Sequence, residues 1–211
     1  MTDMMSRIAG APITWGVDGS PGWGHLMDAD RVLGEMADLG LKATELGPDG
    51  YLPTDPGELK AKLDHYGLEL VGGFVPAVLH LPERADKELG YVGRASRTLG
   101  GCGAGILVLG PGSGLDGYDT SIDMSETQWA AFLDNLKQVI GIAADEGLTV
   151  ALHQHWGMAI ERQEHVERLI AQSEDEISLD TGHHYHGGVH TVAIAEADVG
   201  RVGHDHLKDV G

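Results

Sequence analysis

The chain has 211 residues and carries 14 Lys or Arg against 33 Asp or Glu, so its formal net charge is −19 at pH 7. A chain this acidic repels polyanions, and we therefore expect neither nucleic acid nor an anionic membrane surface as a partner. The length suffices for one sizeable hydrophobic core, which predicts a single domain over residues 1–211. The N-terminus lacks the pattern of a secretion signal and no stretch reaches membrane-spanning length, which indicates a cytoplasmic protein.

Strand and helix patterns alternate along the chain. We predict seven strands, at residues 7–15, 41–46, 68–75, 105–109, 148–153, 177–180 and 201–206. Six helices are predicted between them, at about residues 28–40, 55–67, 84–99, 125–146, 163–171 and 192–198. The predicted N-caps are Asp28, Thr54 or Asp55, and Ser125, because these side chains accept hydrogen bonds from the first amides of a helix.

A glycine that ends a predicted helix is followed directly by a leucine that begins a predicted strand in three segments, LGLKATEL, YGLELVGG and EGLTVALH. A succession of such junctions is typical of βα units. Polar residues end strands one, two, five, six and seven, which favours a ring of strands over an open, doubly wound sheet with one switch point. We therefore predict an α/β fold, a (β/α)8 TIM barrel truncated at its C-terminus to about seven strands and six helices.

An absent eighth strand would leave the first and seventh strands with unpaired backbone edges, and such edges recruit other chains. We expect the 211-residue chain to be less stable than a longer one, to have little activity, and to self-associate as a homo-oligomer.

Histidines are concentrated in the last third of the chain. Nine of the twelve lie between residues 150 and 209, seven of them in the segments VALHQHWG, ISLDTGHHYHGG and RVGHDHLKD. Each segment begins as an apolar run and ends in His or Asp, and residues two apart on a strand face the same way. Imidazole and carboxylate together are ligands for divalent metal ions. The pattern therefore predicts a metal site where three strand ends converge.

The segments TELGPDGYLPTDP, GGFVPAVLH, LHQHWG, LDTGHHYHGG and RVGHDHLKDV resemble the inosose dehydratase group of the xylose isomerase-like sugar phosphate isomerase/epimerase superfamily of TIM barrels. The resemblance implies a bound divalent metal ion, with Mn²⁺ or Co²⁺ preferred and Mg²⁺ or Zn²⁺ as alternatives. It implies that Asp180 and His206 are metal ligands at the ends of strands six and seven. His153 stands where most of the superfamily has Glu, and the superfamily's Glu on strand eight has no counterpart here.

Four further residues are predicted to take part in catalysis. His155 follows the implied ligand His153 by two residues, so its side chain is predicted to point to the same end of the barrel. His183 resembles the superfamily's substrate-contacting histidine. Glu45 ends strand two and would face the cavity, with a solvated loop acid as the alternative. Lys208 would bind a carbonyl or hydroxyl oxygen, and its alternative is an ordinary charged loop residue.

Three other predictions concern the neighbours of these residues. His204 either orients a metal ligand by a hydrogen bond or points inward like His206. His184 and His186 are predicted to be loop or surface residues. Glu161 is predicted to support the start of the fifth helix.

The resemblance implies proton abstraction next to a ketone, with a histidine, His155 or His183, protonating the departing hydroxyl. Dehydration of a cyclic polyol ketone of the inosose type is the first expectation. The alternatives are isomerisation or epimerisation of a ketose or sugar phosphate, and a non-catalytic protein that binds a metal or a sugar. The general base stays open between Glu45, Lys208 and the absent strand-eight Glu.

Overall fold

The computed structural model describes residues 7–19, 24–117, 119–197 and 199–210. Within these residues the helices are α1 (Ala29–Asp38), α2 (Pro56–Tyr66), α3 (Ala85–Gly101), α4 (Glu126–Asp145), α5 (Gln163–Gln172), α6 (Thr181–His186) and α7 (Thr191–Ala197). The strands are β1 (Ala43–Glu45), β2 (Glu69–Ala77), β3 (Ile106–Pro111), β4 (Thr149–His153), β5 (Glu176–Asp180) and β6 (Val202–His206). Short 3₁₀ turns cover Pro12–Trp15, Pro82–Arg84 and Val199–Arg201.

The strands form one sheet in the order β1-β2-β3-β4-β5-β6. β1 pairs with β2, β4 with β5 and β5 with β6, each in parallel. Strand order and chain order are the same, so the sheet lacks the reversal that creates the switch point of a doubly wound fold. The predicted α/β class is confirmed, and the connectivity is that of a (β/α) barrel.

The first predicted strand, residues 7–15, is wrong. Gly10 makes a single parallel bridge to Thr44, and the chain then turns into the 3₁₀ segment Pro12–Trp15. Proline has no amide proton, so a ladder begun at Gly10 cannot continue through Pro12. The described residues therefore contain six strands rather than seven.

The helix count also differs from the prediction. Residues 181–186 form α6, which raises the number of α-helices in the described residues from the predicted six to seven. This helix is too short to show a hydrophobic period in sequence. It begins because the Asp180 side chain accepts a hydrogen bond from the amide of His183.

The predicted helix starts are confirmed. Asp28 accepts a hydrogen bond from the amide of Arg31, and Asp55, rather than Thr54, accepts from the amides of Gly57 and Glu58. Ser125 caps α4 through the amide of Gln128. The Gln128 side chain accepts the Ser125 amide in return, which completes a capping box with Gln.

The described residues divide into two compact units. The described part of the first comprises residues 7–19, 24–74, 95–107 and 146–148, and its core includes Val32, Met36 and Leu63 from α1 and α2. The described part of the second comprises residues 75–94, 108–117, 119–145, 149–197 and 199–210, and its core includes Phe132 from α4 and Leu152 from β4. Each such side chain stabilises its unit by about 1.5–3 kcal/mol through burial. The single domain stays a prediction.

None of the helices in the described residues combines the length and the apolarity that crossing a bilayer requires.

Candidate metal centre

Three neighbouring strands of the second unit bring the predicted metal ligands together. The register places Asp180 at the end of β5 opposite His206 at the end of β6, and His153 of β4 opposite Ser178 of β5. Parallel strands present their carboxyl ends at one edge of the sheet, so the three ligand side chains meet there. The side chains of His153 and Asp180 are buried, at 1% and 0% exposure, and that of His206 is 18% exposed.

The spacing of these side chains fits one ion. Asp180 Oδ2 lies 3.4 Å from His206 Nδ1 and 3.9 Å from His153 Nε2, and one ligand atom from each residue lies within 4.8 Å of the others. Two ligand atoms bound about 2.1 Å from an ion at tetrahedral angles are roughly 3.4 Å apart. Two imidazoles and one carboxylate are also a donor set that Zn²⁺ and other divalent transition metals accept. The residues present therefore fit the metal that the sequence implied.

A second group of ligand atoms shares His153. His153, His155 and His183 also bring one nitrogen each within 4.8 Å of one another. This group has no carboxylate to offset the charge of a cation, whereas the first group has Asp180. His155 and His183 are therefore candidates either for catalysis or for a different ligand set.

The peptide groups of Trp156 fix the proton positions on His155 and His183. The Trp156 carbonyl can only accept, so His155 Nδ1, 2.6 Å away, carries the proton and donates it. The Trp156 amide donates to His183 Nδ1 at 3.3 Å, so that nitrogen holds a lone pair. In the neutral rings, His155 therefore presents a basic Nε2 and His183 presents a protonated Nε2. The ring centroids are 3.7 Å apart.

Burial keeps the histidines neutral. It lowers the pKa of His153 well below its usual value, the pKa of His155 to about 4 and the pKa of His183 to about 3. For Asp180, burial raises the pKa, but the hydrogen bond with His206, the electrostatic interaction with His183 and the hydrogen bond with Lys208 outweigh it and leave the pKa below its ordinary value. Neutral imidazole and ionised carboxylate are the forms that bind a metal ion.

These shifts predict that the metal-free protein loses stability on mild acidification. The usual histidine pKa is 6.5, so from pH 7 to pH 5 the unfolded chain takes up protons that folded His155 and His183 do not. The free energy of unfolding should fall by roughly 1–2 kcal/mol for each of the two. Urea unfolding at both pH values in the presence of a chelator measures it. A His155→Gln/His183→Gln double variant should show a smaller fall, and an unchanged fall would contradict the assignment.

Lys208 contacts Asp180 directly. Its Nζ lies 2.6 Å from Asp180 Oδ2, and its backbone exchanges two hydrogen bonds with the Thr181 hydroxyl. The predicted contact of Lys208 with a substrate oxygen stays a prediction. Glu45 is buried at the end of β1 and belongs to the first unit, and its predicted role in catalysis also stays a prediction.

One of the predictions about neighbouring residues is wrong. His184 is wrong as a surface residue, because it is 2% exposed in α6 and its Nδ1 pairs with the Thr191 hydroxyl. His186 is exposed, as predicted. Glu161 braces the loop after β4 by accepting the Gly157 amide, and its own amide donates to His165 Nδ1 in the first turn of α5, in line with the predicted support of that helix. The ring of His204 lies 5.1 Å from that of His206, and its two alternatives stay open.

Sequence reasoning missed Gln154. Its side-chain amide donates to the carbonyls of Glu161, at 2.5 Å, and of His183, at 3.1 Å, and so ties the loop after β4 to α6. Gly187 packs over this junction, where a Cβ would lie 2.2 Å from the Glu161 carbonyl oxygen. The signal that the sequence offered was a polar residue between His153 and His155. The alternation of side chains along a strand turns this residue away from the metal ligands.

The family described as xylose isomerase-like TIM barrel matches residues 33–211. The chain belongs to this family. Among curated relatives of the chain, the inosose dehydratase of Geobacillus kaustophilus is 31% identical over 97% of the chain and 69% of that protein. The inosose dehydratase of Erwinia tasmaniensis is 32% identical over 97% of the chain and 71% of that protein.

Solved structures of low sequence identity share the family fold. The apo form of 3-keto-D-glucoside 4-epimerase YcjR from E. coli has a TM-score of 0.72 at 17% identity, over 96% of the chain and 80% of that protein. The IOLI protein with a zinc atom has a TM-score of 0.72 at 15% identity, over 95% of the chain and 72% of that protein. At these identities the likeness extends to the fold alone.

Proposed function

We propose that this protein is a metal-dependent dehydratase that removes water from a cyclic polyol ketone of the inosose type. One observation carries the proposal: the trio His153, Asp180 and His206 lies beside a histidine pair, His155 and His183, with opposite proton positions. Two curated relatives named inosose dehydratase support the substrate class. A zinc atom in the IOLI structure, which has the same fold, supports a divalent metal.

His153, Asp180 and His206 would hold the metal ion. When bound, a divalent ion polarises a ketone oxygen and stabilises the negative charge that develops after proton loss. Asp180 holds its charge at neutral pH because its pKa is lowered, and burial of His153 keeps that ring neutral. Both residues are therefore ready to bind a cation without first losing a proton.

The histidine pair would move the protons. His155 Nε2 takes the proton from the carbon next to the ketone, since its Nδ1 is committed to the Trp156 carbonyl. His183 Nε2 carries a proton because its Nδ1 is committed to the Trp156 amide, and it would donate a hydrogen bond to the departing hydroxyl. The proton that His155 Nε2 takes from carbon would pass to that hydroxyl, so that water leaves and both rings end in the neutral form. General acid and base groups of this kind contribute about 10²–10⁴-fold each.

The placement of the two rings favours elimination over epimerisation. Epimerisation needs a proton removed from one face of a carbon and returned to the other. His155 and His183 have ring centroids 3.7 Å apart, so both reach a substrate from one side. Removal of a proton and of a hydroxyl from the same side is the reaction that this pair suits.

Proton NMR of inosose with the protein and Mn²⁺ or Co²⁺ tests the proposal. We expect signals of the dehydrated product, and no product when a chelator replaces the metal. In D₂O, an epimerase would exchange the proton next to the ketone and form a new stereoisomer without loss of water, which would favour that alternative. Metal binding without turnover of inosose would favour the non-catalytic alternative.

A further inference from the structure

The two carboxylate oxygens of Asp180 have different partners. Oδ1 accepts the His183 amide at 2.8 Å and caps α6. Oδ2 faces His206 Nδ1 at 3.4 Å and His153 Nε2 at 3.9 Å, and Lys208 Nζ approaches it to 2.6 Å. The oxygen that the proposed metal site would use is therefore the one that already pairs with a cation.

The stem of Lys208 is fixed beside the site while its ammonium has a route outward. The Thr181 hydroxyl accepts the Lys208 amide and donates to the Lys208 carbonyl, both at 2.8 Å. The chain passes close to Gly182, where a Cβ would lie 3.0 Å from Lys208 Cβ and 3.1 Å from Cδ. The Lys208 side chain is 38% exposed, whereas Asp180 is 0% exposed. The ammonium can therefore leave Asp180 without any change at its backbone.

We propose that Lys208 is an internal competitor of the metal ion, so that its ammonium and the divalent cation are alternative partners of Asp180 Oδ2. This inference rests on the metal site of the proposed function. Without the cation, the ammonium offsets a buried carboxylate that would otherwise be costly to keep charged. With the cation, the two positive charges repel at short range, and the ammonium moves to the exposed rim of the site. There it becomes available to an oxygen of the substrate.

Metal titration of Lys208→Met tests the competition. Dissociation constants for Zn²⁺ and Mn²⁺, measured by competition with a chelator, should fall about tenfold relative to wild type, because the competing charge is gone. Lys137→Met is the matched control. It removes the same charge from an exposed pair with Asp134, on α4, and should change neither constant by more than about twofold. Lys208→Gln, which keeps a polar side chain, should tighten binding in the same direction.

Three outcomes decide the matter. Weaker or unchanged metal binding in both Lys208 variants, with Asp180→Asn greatly weakened, would overturn the competition and leave the proposed metal site intact. Unchanged binding in Asp180→Asn would overturn the metal site and the competition together. Crystals grown with and without Zn²⁺ give an independent readout: Lys208 Nζ should lie beyond hydrogen-bond reach of Asp180 Oδ2 only with the ion, and an unchanged pair would count against the proposal.

Discussion

Asp180→Asn should weaken the binding of Mn²⁺ or Co²⁺ by more than about 100-fold, the largest effect on metal binding that we expect from any single substitution. Replacing groups that only orient a ligand typically costs 10–100-fold in metal affinity, and a ligand itself contributes more. Asp180 is also the acidic member of the trio, so its loss leaves two neutral imidazoles to bind a cation. Metal analysis after equilibrium dialysis measures the change.

Two variants separate the roles of Asp180. Asn can still accept the His183 amide and cap α6, whereas Asp180→Ala loses both the charge and the cap. Both should lose metal, and Asp180→Ala should also be destabilised by about 1 kcal/mol through the lost cap. His186→Ala, an exposed histidine on the same helix, should bind metal as wild type does. Equal metal content in Asp180→Asn and wild type would remove Asp180 from the site.

His155→Ala should keep the metal ion and lose turnover by about 10²–10⁴-fold. The first ligand group does not contain His155, whereas the proposed proton removal requires its Nε2. Metal content and the rate of inosose dehydration, measured on the same sample, give both quantities.

The same variant discriminates between the two ligand groups. If His153, His155 and His183 hold the ion, His155→Ala loses metal and turnover together. His183→Gln provides the comparison, since it should also keep the metal while losing the proposed imidazole donor to the departing hydroxyl. His186→Ala should keep both metal and turnover, which controls for the loss of a nearby imidazole.

The sequence predicted the strands that carry the site better than the strand that opens the chain. His153, Asp180 and His206 end strands whose apolar runs are long and whose parallel register follows from βα connectivity. Residues 7–15 also look apolar, but Pro12 interrupts the ladder, a local effect that outweighs the composition of the segment.

The roles of His155 and His183 could not be predicted from the sequence. The segment HQHWG indicated which residues are reactive. The proton positions on His155 and His183, however, depend on the amide and the carbonyl of Trp156. Backbone groups are alike along the chain, so the sequence does not show which of them a histidine will contact. Gln154 was missed for a related reason. Its partners are the carbonyls of Glu161 and His183, one of which lies 29 residues away, and no pattern of side chains reports a backbone acceptor.

The ligands of the proposed metal site lie one to a strand on β4, β5 and β6. An ion bound there would cross-link three strands that already pair through backbone hydrogen bonds. Its binding free energy would be added to the unfolding free energy of the second unit, so saturating metal at 100 times the dissociation constant would contribute about 2.7 kcal/mol. Metal supply would then set the lifetime of the folded protein as well as its activity, and apo protein would be the form that proteases clear first.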